Sequence, residues 1–327
     1  MMIRSRAQRF GPAMLLVACA SAPPSSSSTP SNAASTTARS SDFGVVLMAH
    51  GGTAAWNEAV LEAVKPLRAH HDIEVAFGMA EAPALQDAVT RLEARNVRRI
   101  GVVRLFVSGE SFVDRTEKIL GLRGGAPATP PPPPRPAPTG HAEHGGAAGH
   151  GGHNMATFRV ATHSSFALSA QGLLDAEGMG TVLADRAAAL SKTPAREDVL
   201  ILGHGPGDDA ENARWLAKLD ARAAVIRGRA AFRRVQVETL REDWPDKRAE
   251  AQARIRAFVQ RAVQEGGTAI VIPFRVQGFG PYAEVLEGLD YVADKQGLIP
   301  HPEVTKWIEH EISALEAGPF RAALPAE

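Results

Sequence analysis

Residues 43–51 read FGVVLMAHG, and residues 198–205 read DVLILGHG. Each stretch is an apolar run that ends in a histidine followed by a glycine. Continuous apolar runs are typical of parallel strands that helices cover on both faces. Ligands of open parallel sheets bind at the carboxyl ends of the strands, so we expect His50 and His204 to lie at ligand-binding edges.

The segments that follow these two strand ends also match each other in order. The matching pairs are 73–83 with 235–245, 97–106 with 266–274, and 172–190 with 297–315. Apolar residues at helical spacing separate the predicted strands. The sequence therefore predicts an α/β fold with two tandem units, 43–192 and 196–317, each a parallel sheet flanked by helices.

Residues 124–155 interrupt the first unit with a polyproline run and then a tract of glycine and histidine. This composition predicts an extended or disordered insertion that does not join the core. Imidazole nitrogens interleaved with glycine can wrap a transition-metal ion, and the alternative is that these histidines are incidental. The candidate metal ligands in the tract are His141, His144, His150 and His153.

The first 42 residues predict export and a membrane anchor. Residues 1–19 combine three arginines, a short apolar run and the sequence LVAC, which resembles the bacterial lipobox. We expect cleavage before Cys19, lipidation of its thiol, and attachment to the periplasmic face of a bacterial membrane. The alternative is an ordinary cleaved signal peptide. Residues 20–42, rich in serine, threonine and proline, are expected to form a disordered tether.

Composition narrows the possible partners. Lysine plus arginine total 36, as do aspartate plus glutamate, so the formal net charge is zero. This balance gives no electrostatic indication of a nucleic-acid partner, and none is expected. No G-x-G-x-x-G follows His50, and no Walker lysine is present, so no nucleotide cofactor is expected. Cys19 is the only cysteine, which excludes intrachain disulfides and thiolate zinc sites.

The two strand-end histidines have two possible roles. An imidazole with an ordinary pKa of about 6.5 can act as a base or a metal ligand near neutral pH. The alternative is that each histidine caps the next helix and that the glycines serve only the turn. Their recurrence in both units favours function, although common ancestry of the units also explains it.

The order of these motifs resembles the sirohydrochlorin cobaltochelatase (CbiX-like) family. The resemblance rests on LMAHGG (47–52), on 74–120 with its GVVRLFVSGESFV, and on VLILGHGPGDD, IVIPFRVQGFGPY and GLIPHPEVTKWIEHEI in the second half. It implies a class II chelatase fold. It also implies insertion of a divalent metal, Co²⁺ first and Ni²⁺ or Fe²⁺ next, into a sirohydrochlorin-type tetrapyrrole.

The resemblance implies two working histidines in each unit, and here one of each pair is replaced. His50 and His204 match the first position, whereas Phe112 and Pro281 stand at the second. Glu110, beside Phe112, is a candidate catalytic oxygen ligand, and the alternative is a solvated loop carboxylate. Export and the two replacements favour an alternative function, a non-catalytic lipoprotein that binds metal or tetrapyrrole.

Overall fold

The computed structural model describes residues 42–129 and 157–325. The first unit contains β1 (Phe43–Ala49), α1 (Ala54–Val64), β2 (Ile73–Phe77), α2 (Ala82–Glu93), β3 (Arg99–Leu105), α3 (Val113–Ile119), β4 (Ser165–Leu168) and α4 (Gly178–Leu190). The second contains β5 (Glu197–Gly203), α5 (Asp209–Arg229), β6 (Arg234–Thr239), α6 (Pro245–Gln264), β7 (Thr268–Phe274), α7 (Tyr282–Val285), β8 (Val292–Ala293) and α8 (Pro302–Ala317). A short strand, β9 (Arg321–Ala322), follows α8.

The strands form two sheets with the order β2-β1-β3-β4-β9 and β6-β5-β7-β8. All pairings are parallel except that of β9, which is antiparallel to β4. The predicted fold class, two parallel sheets flanked by helices, is confirmed. Ala49 pairs with Phe77 and Leu105, and Gly203 pairs with Thr239 and Phe274. His50 and His204 therefore follow directly on the carboxyl edges of the two sheets.

The two units share one hydrophobic core. Its members include Leu47 and Val103 of the first sheet together with Ile201 and Ile272 of the second, all fully or almost fully buried. Helix α8, late in the chain, packs on β3 and α1, while α4 packs on α5 and β7. The last helix of each unit thus covers the partner unit, and the unit boundaries 43–192 and 196–317 stay a sequence-based prediction.

Several predicted segments lie wholly or largely outside the described residues. These are the signal peptide with Cys19, the tether up to residue 41, and residues 130–155 of the insertion with its four histidines. Residues 124–129, at the start of the insertion, contain no helix or strand. Across 42–129 and 157–325, no helix combines the length and hydropathy needed to span a bilayer.

Candidate functional site

His50 is partly buried in the turn that leaves β1. Gly51 adopts φ 73°, and a Cβ there would lie 3.2 Å from the Phe77 Cβ, so the turn favours glycine. The His50 Nδ1 lies 2.7 Å from the Gly51 carbonyl oxygen. Because a carbonyl oxygen only accepts hydrogen bonds, Nδ1 carries a proton in this contact. In its neutral form this tautomer has its lone pair at Nε2, the atom that would take up a proton or a metal ion.

An aromatic wall lies beside His50. The Trp56 ring centroid is 6.2 Å from that of His50 and 6.3 Å from that of Phe77. A Cβ at Gly52 would lie 3.2 Å from the Trp56 Cγ, so the second glycine of the motif gives this indole its space. Thr53 caps α1 by accepting a hydrogen bond from the Trp56 amide at 3.3 Å. The wall is suited to contact the face of a planar ring system.

Glu81 brings a carboxylate to the same edge of the first sheet. It precedes α2, and a Cβ at Gly78 would lie 2.8 Å from the Glu81 Cδ. A Cβ at Gly51 would lie 3.4 Å from the Gly78 amide nitrogen. The Glu81 carboxylate therefore lies over Gly78, which adjoins Gly51 in the turn after His50.

Glu110 lies in the loop between β3 and α3 and forms an ion pair across the units. Its Oε2 accepts a hydrogen bond from the Arg214 Nη2 at 2.8 Å, and both side chains are about half exposed. Arg214 belongs to α5 of the second unit. Glu110 is thus a partnered surface carboxylate that would have to leave Arg214 before it could bind a metal ion.

The buried Arg104 of β3 holds the Glu110 loop in place. Its guanidinium donates hydrogen bonds to the carbonyl oxygens of Gly109 and Ser111, each at 2.8 Å, and to that of Ser169 at 3.0 Å. These bonds satisfy a cation whose side chain is almost fully enclosed. Sequence reasoning missed this role, although a charged residue inside the apolar run RIGVVRL was a visible signal.

Phe112 adopts a left-handed backbone conformation at φ 57° directly before α3. Its ring packs on Phe106, with centroids 5.2 Å apart. In the second unit the left-handed residue is Gly280, with φ 62°, one position before Pro281, which has φ −78°. A bulky residue in this conformation costs about 1–3 kcal/mol. The turn expected to carry the second histidine of the family therefore keeps a special backbone shape in both units.

His204 stands at the matching edge of the second sheet in a more enclosed setting. Its ring packs on Trp215 with centroids 4.8 Å apart, and its Nδ1 lies 3.1 Å from the Gly205 carbonyl oxygen. Burial lowers the pKa of His204 below its ordinary value of 6.5, against the opposing effect of Glu242. The enclosure thus favours a neutral imidazole.

A salt bridge engages Glu242, the carboxylate with the largest electrostatic effect on His204. Arg275 donates a hydrogen bond to Glu242, and the Glu242 side chain is only 8% exposed. The Arg275 guanidinium lies over the ring of Tyr282, 5.7 Å from its centroid. Burial raises the pKa of Tyr282. The positive charge of Arg275 opposes a cation at His204, and Glu242 is already committed to that charge.

A second arginine braces the turn after His204. Arg241 donates hydrogen bonds to the carbonyl oxygens of Pro206 and Gly207 and, at 2.8 Å, to the carboxylate of Asp209. The matching turn of the first unit contacts Phe77, Gly78 and Trp56 instead. Matching the two units in sequence did not reveal this difference between their turns. Arg241 and Arg275 both bind residues that are more than 30 positions away in the sequence.

In the part of the chain that the structure describes, no group of three or more histidine, cysteine, aspartate or glutamate side chains is arranged to hold a metal ion. Neither His50 nor His204 belongs to such a group among the described residues. The four histidines of the insertion lie outside the described residues, so their metal binding stays a prediction.

Comparison with known proteins gives a family match and a fold match. Residues 44–118, which run from β1 into α3, match the CbiX family. SirB from Bacillus subtilis with Fe³⁺ is 12% identical, with a TM-score of 0.55 over 84% of this chain and 96% of SirB. The sirohydrochlorin chelatase SirB from Bacillus subtilis subspecies spizizenii in complex with cobalt is 10% identical, with a TM-score of 0.53 over 85% and 96%. No curated protein sequence matches the chain.

Proposed function

We propose that the chain is a chelatase that inserts a divalent metal ion into a sirohydrochlorin-type tetrapyrrole, because residues 44–118 match the CbiX family. The position of His50 carries the proposal: its imidazole follows the first strand of the matched segment, beside an aromatic wall. The fold shared with SirB, which was solved with Fe³⁺ and, as a sirohydrochlorin chelatase, with cobalt, supports it.

Metal insertion needs a base and a temporary metal ligand. Two pyrrole N–H protons leave as the ion enters, so M²⁺ and the free macrocycle become the metallated macrocycle and two protons. The Nε2 of His50 is the group that receives a proton or holds the arriving ion, while Nδ1 stays bonded to the Gly51 carbonyl. Trp56 would lie against the face of the macrocycle, and Glu81 offers an oxygen at the same edge.

The ligand chemistry of the first unit is compatible with all three candidate metal ions. Imidazole suits Co²⁺, Ni²⁺ and Fe²⁺, and a carboxylate oxygen accepts any of the three. We put Co²⁺ first, as the resemblance to the cobaltochelatases suggests, with Ni²⁺ and Fe²⁺ as the other substrates to test.

Phe112 favours a second candidate function, a carrier that binds the metal or the tetrapyrrole without insertion. A phenyl ring supplies neither a lone pair nor a proton acceptor at the position of the second histidine. A chain with one imidazole could hold either reactant and still fail to remove both pyrrole protons.

A spectroscopic assay separates the two functions. The full-length chain is incubated with sirohydrochlorin and Co²⁺, Ni²⁺ or Fe²⁺, and the absorption of the pigment is followed against a protein-free control. A rate above the control supports the chelatase. Stoichiometric binding of metal or pigment without insertion supports the carrier, and absence of both binding and insertion contradicts both functions.

The variant Phe112→His sharpens the assay. Its backbone already has the left-handed shape of the turn, and histidine tolerates that shape better than most residues. We expect insertion to rise by about tenfold, less than the 10²–10⁴-fold of a fully positioned general base, because the neighbouring groups have not adapted to an imidazole there. An inactive parent with an active Phe112→His variant would assign the carrier function to the natural chain.

Export and anchoring are a separate proposal, supported by the sequence LVAC at 16–19. The chain would be lipidated at Cys19 and held at the periplasmic face of a bacterial membrane. Cell fractionation tests this proposal. The parent is expected in the membrane fraction as the cleaved, lipidated form, and Cys19→Ala is expected either in the soluble fraction or as the uncleaved precursor. Equal distribution of both would contradict the anchor.

A further inference from the structure

A groove of about 440 Å³ lies between α8 and β4, apart from the turn that carries His50. Ala167 and Leu168 form one wall, and Ala314, Leu315 and Pro319 contribute to the other. The segment Ser169–Gln171 lines one part of the groove. These surfaces are mostly apolar, which suits the aliphatic part of a small molecule.

Glu311 of α8 also lines the groove, with only 5% of the residue exposed. Within residues 42–129 and 157–325, its carboxyl group forms no hydrogen bond and no ion pair. An ionised carboxylate in such a position is costly unless a donor or a cation meets it. Burial raises the pKa of Glu311, opposed by His310 on the same helix and Arg104 on β3 and assisted by Asp175 after β4.

The neighbouring guanidinium groups are engaged elsewhere. Arg104 directs its N–H groups to the carbonyl oxygens of Gly109, Ser111 and Ser169. Arg321, which also lines the groove, is paired with Glu117 at 2.6 Å. The Glu311 carboxyl group therefore faces the groove without a committed donor.

We propose that this groove binds a small organic cation, a primary alkylammonium, whose N–H groups meet the Glu311 carboxylate. The alkyl chain of the ligand lies against the alanine, leucine and proline walls. A divalent metal ion fits less well, because it needs several oxygen ligands and, among residues 42–129 and 157–325, Glu311 is the only carboxylate lining the groove. The proposal rests on residues that insertion at His50 does not use, so either one can fail without the other.

Binding is tested on the full-length chain by isothermal titration calorimetry with n-butylammonium chloride. Butan-1-ol and sodium butyrate serve as neutral and anionic probes of the same size. We expect saturable binding of n-butylammonium at least about tenfold tighter than that of either other probe, as expected for a charged hydrogen bond that replaces a neutral one. Equal binding of butan-1-ol, or no saturable binding of the ammonium, would overturn the proposal.

Two variants locate the binding. Glu311→Gln removes the charge with little change of shape, and Glu309→Gln removes the same charge from the exposed position two residues away on α8. We expect Glu311→Gln to weaken n-butylammonium binding by at least about tenfold and Glu309→Gln to leave it unchanged. Equal affinity of Glu311→Gln and the parent would overturn the proposal.

A proton measurement on the parent keeps the test independent of variant folding. Because the ligand stabilises the ionised carboxylate, binding should release a proton from the fraction of molecules in which Glu311 is protonated. Titration at pH 5 in two buffers of different ionisation enthalpy measures this release. Net proton uptake on binding would contradict the role of Glu311.

Discussion

The two His-Gly turns share a sequence pattern and a backbone shape but differ in their surroundings. In both, a buried parallel strand ends at the histidine, and Nδ1 contacts the carbonyl oxygen of the next glycine. At His50 the neighbours are glycines, aromatic rings and, beyond Gly78, the Glu81 carboxylate. At His204 they include the Arg275–Glu242 pair. The repeated motif therefore preserves the fold of the turn. The neighbouring loops determine whether the surroundings of the histidine favour a bound cation.

The largest expected difference is in catalysis. We expect His50→Ala to lower the rate of metal insertion by about 10²–10⁴-fold, the usual contribution of a general base, because its Nε2 is the proposed acceptor. His204→Ala should change the rate by less than about threefold, far below that contribution. The pigment assay with the exposed His163→Ala as control measures both. A loss at His204 equal to that at His50 would contradict the assignment of the chemistry to the first unit.

The next largest effect is on stability in the second unit. Arg275→Met leaves the buried Glu242 carboxylate without its partner, and we expect a loss of about 3–5 kcal/mol in the free energy of unfolding. Urea unfolding followed by circular dichroism gives the value. The double variant Arg275→Met with Glu242→Leu should recover most of the loss, since no lone charge remains. Failure of the second substitution to recover stability would show that the packing of the Arg275 side chain matters more than its charge.

The pH dependence of stability should also distinguish the two turns. The pKa of His204 is lowered by folding, so the unfolded chain binds more protons than the folded chain below pH 6.5. Stability contributed by this group is present above pH 6.5 and is lost as the pH falls from there toward the folded pKa. The slope is at most about 1.4 kcal/mol per pH unit.

The variant His204→Gln isolates that slope. The difference in unfolding free energy between parent and variant, measured by urea titration from pH 8 to pH 5, should move in favour of the variant as the pH falls. A difference that stays constant over this range would show that His204 titrates equally in the folded and unfolded chains.

The smallest expected effect concerns the ion pair between the units. Arg214 and Glu110 are both about half exposed, and exposed pairs contribute little to stability. Arg214→Ala should leave the urea midpoint within error of the parent. A midpoint shift as large as that of Arg275→Met would show that the surface pair, and not the shared core, holds the units together.

The strands and their order could be predicted from the sequence, because continuous apolar runs such as 45–48 signal buried parallel strands directly. The position of His50 at a strand end followed from the same pattern. The partners of the site residues could not be predicted in this way. Arg275 meets Glu242 across 33 positions of sequence, and Arg214 meets Glu110 across 104. Such pairings depend on the tertiary fold, which periodicity does not report.

The packing of α8 on the first unit and of α4 on the second could not be predicted from the sequence for a related reason. The apolar spacing of Val304, Ile308 and Leu315 shows that α8 has a buried face, but it does not state which sheet that face meets. Glu311 was more accessible to sequence reasoning. It occupies a position of the same apolar stripe, three residues after Ile308, and a carboxylate there signals an unusual environment.

The shared core sets a condition on any shortening of the chain. Residues 43–192 produced alone would lack α8, and the surface of β3 and α1 that this helix covers would be open to water. The second unit is therefore required to cover the apolar surface of the first, even if His204 takes no part in the chemistry. A half-length chain cut from this protein would need a second copy of itself, or another protein, to supply the missing helix.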